Sequence, residues 1–554
     1  MFRSLFTLFF FLLFIDSYSQ YWEKAKVFHY AFENSNYRHV SDKNGNVYIV
    51  GELNADKLVL DSITLETNGK LDCFIVKLDS NFKVRWAKSF GGIEEDMITG
   101  IVIDNSGDVV ICGYFSKTLL IQSDSLISRG MSDFFIAKLE PSGKLIWAKS
   151  GGSNYQDYSF SRTGGIEVDY NNSIIVTGLF AYENHSGIPN KRTAWFDTFS
   201  ITSYGGQDAF LAKYSTNGKV IWVKNFGSYS DDYGEAYFNN NFIYLTGRGE
   251  ERFKYETGEI FNPDLSSIGF IIKLDTNGKV IWAKASFLTN TGTHGTSSLC
   301  SDSRDNLYVI GYYSSSYNTK LNFDNYNIEL PQSALCFYIA KLNSKGKILW
   351  FKNGRGNFNK IIRKDDNHFI VAGSMRGNAS YEAKYLSAAG FNNSLILEID
   401  SNGKPLVFQN FGNTGDNICD NISLTADNKI LVTGNNWTGS LVFDSITLTK
   451  TDKPAGFYIA RRNFVPKPVG ISTVPVNKSF KIFPNSNNGS FTIEIDNPEM
   501  DAAIEVFDLL GKLVRKVERV EKVTLVNLDV ESGIYLVKVK NGEVVWNQKM
   551  VLTN

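Results

Sequence analysis

The chain has 554 residues, too many for one ordinary core, so several domains or a repeat array are expected. Lys+Arg 57 against Asp+Glu 58 leaves a net charge of −1, which argues against a surface built to neutralise a polyanion and so against nucleic-acid binding. Aromatics at 14% with 46 Gly and only 11 Pro favour short strands and tight turns over helices.

The first predicted element is the leader "MFRSLFTLFFFLLFIDSYSQ", in which Arg3 precedes an apolar run from Leu5 to Ile15 and then the small residues Ser17 and Ser19. This pattern predicts a signal peptide over residues 1–19. The run is too short to span a bilayer comfortably, and no later stretch reaches 18 continuous apolar residues, so no transmembrane segment is expected. No Cys follows the run, which gives no sign of a lipoprotein anchor.

Residues 20–462 repeat themselves. "MITGIVID" (97–104), "DVVICGYF" (108–115), "DFFIAKLE" (133–140) and "GKLIWAK" (143–149) recur in this order, and we label the four strands they predict A to D. The B-type and C-type motifs each occur seven times, joined by Ser-Gly and Asn-Gly turns. Four antiparallel strands per unit at a period of roughly 60 to 75 residues predict a seven-bladed β-propeller with four-stranded blades. Six D strands follow their C strands, but the seventh C strand, "GFYIARRN" (456–463), runs into a Pro-containing linker. The missing strand is supplied by "YWEKAKVF" (21–28), whose W-x-K spacing places Trp22 and Lys24 where another unit has Trp147 and Lys149. The N-terminal strand thus closes the ring.

The recurring Trp is expected to pack between blades, its indole N–H needing a single partner. Between B and C most units insert a short hairpin, as in "LVLDSITL" (58–65), expected on one rim. The third unit carries the longest insertion (181–206), with His185 and Trp195. It is the first rim element expected to bind a ligand.

No catalytic or cofactor motif is present: the chain lacks HExxH, GxSxG, a P-loop and the Rossmann glycines. His29, His39, His185, His294 and His368 fall in different units without ligand spacing. Five scattered cysteines without CxxC spacing are expected as buried thiols, with room for one bridge in an oxidising compartment and at least one thiol left over. The distinctive polar feature precedes strand A, where Asp96, Asp157, Asp232 and Asp416 stand at related places. The expectation is that they ring one mouth of the channel. They would cap inter-blade turns there, and if any cofactor is held it is Ca²⁺, a hard cation suited to oxygen ligands.

The unit "GGIEEDMITGIVIDNSGDVVICGYF…SDFFIAKLEPSGKLIWAKSGG" resembles the bacterial SBBP-type beta-propeller repeat, a group of extracellular or envelope proteins mostly without a defined activity. After a linker over 463–478, residues 479–554 resemble the type A C-terminal sorting domain of the type IX secretion system of the Bacteroidetes. The motifs carrying that likeness are Phe483-Pro484-Asn485 with Gly489, Asp508 to Lys512 including Gly511, Gly533-Ile534-Tyr535, and Lys549 near the end. Ser486 departs from the family's second Pro. Read from its residues, the segment is a small Ig-like β-sandwich of alternating strands. The resemblance implies the secretion machinery as partner, export across the outer membrane, and a secreted or cell-surface location.

The expected fold is therefore all-β, a seven-bladed propeller followed by a small sandwich. The function expected is a monomeric binding, adhesion or glycan-interaction module with an extracellular glycan or protein ligand. The alternative is a polysaccharide lyase or glycosidase with its site at the channel mouth.

Overall fold

The computed structural model describes residues 21–553 apart from short internal stretches, the longest being 182–190 and 464–479. The leader, His185, Asn485 and Gly511 lie outside the described residues. These fall into two compact units, separating between strands Gly456–Asn463 and Phe480–Phe483.

In the first unit the strands form sheets of the order A-B-C-D. The innermost strands are Arg38–Ser41, Asp96–Ile103, Ile166–Val168, Tyr233–Asn239, Gly292–Ser301, Asn357–Asp365 and Asn417–Leu424. Each packs against the next, and the last packs against the first, so the sheets close into a ring of seven blades. The B and C strands are almost wholly buried, because both faces of each blade meet a neighbour; their apolar residues are accordingly near-continuous rather than alternating. All five cysteines are buried and unpaired, and pack as small apolar residues.

The ring is closed by strand Tyr21–His29, which pairs antiparallel with Gly456–Asn463 as the outer strand of the seventh blade. Its register differs from the one expected. In the second blade Trp147 faces Lys138 and Leu145 faces Leu139, whereas in the seventh Lys24 faces Arg461 and Trp22 faces Arg462 across a bulge. Lys24 therefore holds the place of the recurring Trp, Lys26 that of Lys149, and Trp22 that of Leu145. Trp22 is buried against Phe411 and Phe443, at centroid distances of 4.9 and 4.8 Å.

The recurring Trp links successive blades. Its Nε1–H donates to a main-chain carbonyl in the C–D turn of the next blade: Trp86 to Pro141, Trp147 to Thr216, Trp222 to Thr276, Trp282 to Ser344 and Trp350 to Ser401, at 3.1–3.4 Å. The indole lies against the glycine of the same turn. Gly143, Gly218, Gly278, Gly346 and Gly403 all have φ between +75 and +80°, and a Cβ on any of them would come within 3.4 Å of the preceding blade's Trp. A glycine is needed both for the left-handed backbone and for the ring that covers it. "GKVIWAK" is thus a two-part connector, its Gly facing the previous blade's Trp and its own Trp facing the next blade's Gly.

The B–C hairpins are staples between blades. Thr193–Phe196 of the third blade pairs with Gly152 and Ser153 of the second, and Thr319–Phe323 of the fifth pairs with Ser286 to Leu288 of the fourth. The sixth blade's hairpin reaches Gly354 and Arg355 of the fifth in the same way.

The second unit stacks a three-stranded sheet (Phe480–Phe483, Ser490–Ile495, Val523–Asn527) on a five-stranded one that includes Ala503–Phe507, Gly533–Asn541 and Val544–Leu552. Between them lies an apolar core containing Phe491, Ile493, Ile504, Val537 and Met550.

Candidate functional site: the central channel

The seven A strands leave a channel of about 580 Å³ along the axis, each strand giving it two to five residues. Alternation along an A strand sends one side chain between blades and the next into the channel. The lining mixes hydroxyl and amide groups (Thr99, Ser298, Asn421) with six charged side chains: Arg38, Lys360, Arg363 and Lys364 against Glu167 and Glu235. The charged groups are not evenly spread. Lys360, Arg363 and Lys364 all come from the sixth blade's strand Asn357–Asp365, while Glu167 and Glu235 come from the third and fourth.

Lys360 crosses the channel to Glu235 at 2.7 Å. Arg38 donates to the main-chain oxygen of Asp420 at 3.2 Å, and Arg363 pairs with Asp366 at 2.8 Å. Glu167 is half-buried in the wall. Desolvation pushes its carboxyl up to about 7, with Lys360 pulling it down and Glu235 pushing it further up. Burial holds Lys364 below the usual ammonium range. His39 is buried, its Nδ1 2.8 Å from Thr433 Oγ1, and desolvation lowers it to about 3, so it is a neutral part of the wall.

The residues expected as a carboxylate ring at the mouth stand elsewhere. Asp96, Asp157 and Asp232 are buried between blades, at or before the start of an A strand, and do not line the channel. Asp96 accepts from Gly92 N at 2.6 Å and Ser116 N at 3.2 Å. Asp157 accepts from the backbone N and Oγ of Ser153 and from Ala181 N, and Asp232 from the backbone N and Oγ of Ser228 and from Glu250 N. Burial pushes the carboxyls of Asp96 and Asp157 up to about 7 and raises that of Asp232 well above its usual range. Asp416 is not the equivalent residue. Asn417 is, facing Asn436 as Asp96 faces Phe115, with its Oδ1 accepting from the N and Oγ of Ser394 at 3.1 Å. Counting from Phe90 and Phe411, the residue before each loop's first Gly, would have identified it.

Trp195 is half-buried on the hairpin that staples the third blade to the second, with the Arg129 guanidinium 5.6 Å from its ring centre. Its place in that pairing accounts for it without a ligand. The channel cations were missed in the sequence because each lies in a short polar A strand that the repeat pattern does not mark.

In the second unit, Asp508 closes a hairpin: its Oδ1 accepts from Lys512 N at 2.9 Å, and its own N–H donates to Lys512 O at 3.0 Å. Gly489 takes φ +102° and donates to Asn487 Oδ1, whose side chain in turn donates to Pro484 O. Tyr535 is buried, its hydroxyl donating to Glu531 O at 2.7 Å at the start of strand Gly533–Asn541. Lys549 is exposed beside it on the last strand, facing Leu536. Most of the sorting-motif residues are therefore turn and corner positions that define a small sandwich.

Three comparisons bear on the chain. A 24% identical stretch of 194 residues, 31% of this chain, matches an uncharacterized WD repeat-containing protein of Acanthamoeba polyphaga mimivirus, of which it spans only 13%. PorZ, described as an essential bacterial surface component of the type-IX secretion system of Porphyromonas gingivalis, aligns over 96% of this chain and 100% of its own at 10% identity, with a TM-score of 0.21. A member of the DUF4221 family from Bacteroides vulgatus aligns over 80% and 98% at 11% identity and a TM-score of 0.29. Scores this low support no transfer of function. The secretion system C-terminal sorting domain family matches residues 481–553. With the turns and corner just described, that match makes the second unit a type IX secretion sorting domain, and the protein one that is sorted to the cell surface or secreted.

Proposed function

We propose that this exported protein is a binding module whose propeller takes an extracellular ligand with a negatively charged group, an acidic glycan fitting best, at the central channel. The repeats are of the SBBP type and residues 1–19 are its signal peptide in this reading. The observation that carries it is the composition of the lining, four cationic side chains to two carboxylates in a chain that is otherwise balanced. Anionic ligands gain from cations held in a walled channel, where the field is less screened than on an open surface. The test is an array of neutral, sulfated and uronate-containing oligosaccharides probed with the full chain. Binding restricted to the acidic members, weakened at least tenfold by Lys360→Ala with Arg363→Ala, supports the reading; preference for neutral sugars sinks it.

A second reading is favoured by one observation. Glu167, pushed up to about 7, stands near Glu235, which is ion-paired with Lys360. A proton-holding carboxyl beside an ionised one is the pairing that glycoside hydrolysis uses. Release of reducing ends from any bound oligosaccharide, abolished by Glu167→Gln, would replace the binding reading with a hydrolase.

A further inference from the structure

The first three blades each present two five-residue loops, one entering strand C and one entering strand A of the next blade, and these run side by side. Leu71 and Glu95 form a parallel bridge, as do Ser132 and Gln156. Each loop ends in an Asp that accepts from the backbone N–H four residues earlier: Asp72 from Asn68 and Asp96 from Gly92, Asp133 from Arg129 and Asp157 from Ser153, Asp208 from Tyr204 and Asp232 from Ser228.

The two carboxyls at a junction face each other. A Cβ built on Gly91 would lie 2.3 Å from Asp72 Oδ1 and 2.9 Å from Asp96 Oδ2, and one on Gly152 would lie 2.6 Å from Asp133 Oδ1 and 2.4 Å from Asp157 Oδ2. Gly227 stands in the same relation to Asp208. All six residues are buried, at 1% exposure or less. The Oδ1 atoms of Asp72, Asp133 and Asp208 have no hydrogen-bond partner of good geometry, though the Gly130 N–H stands beside the Asp133 carboxyl and the Asn225 amide beside that of Asp208. An orphaned carboxylate oxygen turned toward a second buried carboxylate, three times over, is costly without a positive charge between them.

The remaining junctions show that the two positions act together. By strand register, the places of Asp72 and Asp96 are held by Ile268 and His294, by Cys336 and Gly356, and by Asn393 and Asn417. Among the described junctions both members are Asp or neither is. If each Asp only capped its own loop, one of a pair could change without the other. A shared occupant explains the joint change.

We propose that Asp72 with Asp96, Asp133 with Asp157, and Asp208 with Asp232 each hold a divalent cation of the calcium type at three successive blade junctions. The ligand atoms are carboxylate oxygens on irregular backbone, which suits a hard cation that tolerates variable geometry and completes its shell with carbonyls or water. No cluster of three or more His, Cys, Asp or Glu ligands exists among the described residues, so these are two-carboxylate sites. They lie apart from the channel and do not depend on the ligand reading above.

The test is calcium titration of the full chain after chelator treatment, read by calorimetry and by the thermal midpoint. About three ions per chain and a raised midpoint are expected. Asp72→Asn with Asp96→Asn should lower the count from three to two and still fold, because the chain already carries Asn393 and Asn417 at these places. No calcium-dependent heat or midpoint shift in the unmodified chain overturns the proposal, as does an unchanged count in the folded double variant. Should that variant not fold, Asp133→Asn with Asp157→Asn gives the same readout at the next junction.

Discussion

Lys24 and Phe82 form an exceptional joint of the ring. At five other junctions a Trp faces a glycine of positive φ, but between the seventh and first blades Lys24 stands in the Trp position and Phe82, at φ +59°, in the glycine position. Lys24 Nζ donates to Asn81 O and Oδ1 at 3.3 and 2.9 Å, doing for this turn what the indole N–H does elsewhere, and Phe82 is buried. The aromatic ring has moved from one side of the joint to the other, so Lys24→Trp alone should overpack against Phe82 and cost about 1–3 kcal/mol. Combined with Phe82→Gly it should recover most of that loss, and a double-mutant cycle in denaturant reads the coupling directly.

At the regular joints the turn glycine is the sensitive position. Gly218→Ala forces an L-residue to φ +79° and puts its Cβ 3.0 Å from the Trp147 ring. The backbone penalty of about 1–2 kcal/mol and the steric one add, giving an expected loss of about 2–4 kcal/mol in chemical unfolding. Gly107, also at positive φ but with nothing within 4 Å of its Cβ position, should show the backbone part alone when changed to Ala.

Two buried histidines oppose the fold in acid. His294 is fully buried with Nε2 3.1 Å from Gly269 N and 3.0 Å from Ser286 Oγ, and, like His39, desolvation lowers it to about 3. A His depressed in the folded state adds stability above its unfolded value near 6.5 and loses it as pH falls toward 3. Each should cost about 1.4 kcal/mol per pH unit over that window. The buried carboxyls of Asp96, Asp157 and Glu167, pushed up to about 7, act in the opposite direction over the same window, so the histidine contribution is read by difference: from pH 7 to 4 the His294→Asn variant, carrying the residue type at 417, should lose less stability, or gain more, than the unmodified chain.

Lys360→Ala removes the partner of Glu235 and the positive charge that holds the Glu167 carboxyl down. The Glu167 carboxyl should then titrate above 7, measurable by carbon-detected NMR of a labelled side chain.

The architecture was legible because the repeat is written in strand-forming residues with fixed turns, and because the seventh C strand lacked a following D. The placing of Tyr21–His29 was legible too, but its register was not. A match on Trp22-x-Lys24 competes with one on Ala25-Lys26, and only the pairing of Ala25 with Ala460 decides it. The absence of Gly at position 82 was a usable signal, since it coincides with a joint that lacks the outer-strand Trp; the other such joint follows the sixth blade, where Val407 holds the Trp position. The junction acids were visible as a series, but their burial, and their partnership with Asp72, Asp133 and Asp208, depend on which loops run side by side. The channel cations carry no spacing that distinguishes them from ordinary exposed charge. Whether Lys360 faces solvent or Glu235 depends on closure of the ring.

Closure by the N-terminal strand is the relationship on which the channel and every joint depend. Ala25 and Ala460 are direct cross-strand partners, so Ala25→Cys with Ala460→Cys places two thiols across the clasp. Under oxidising conditions this variant should form a bridge between the chain's start and residue 460, seen by peptide mapping, and should gain thermal stability that reductant removes. Failure to cross-link in the folded protein, or cross-linking only between different molecules, would contradict a ring closed by Tyr21–His29.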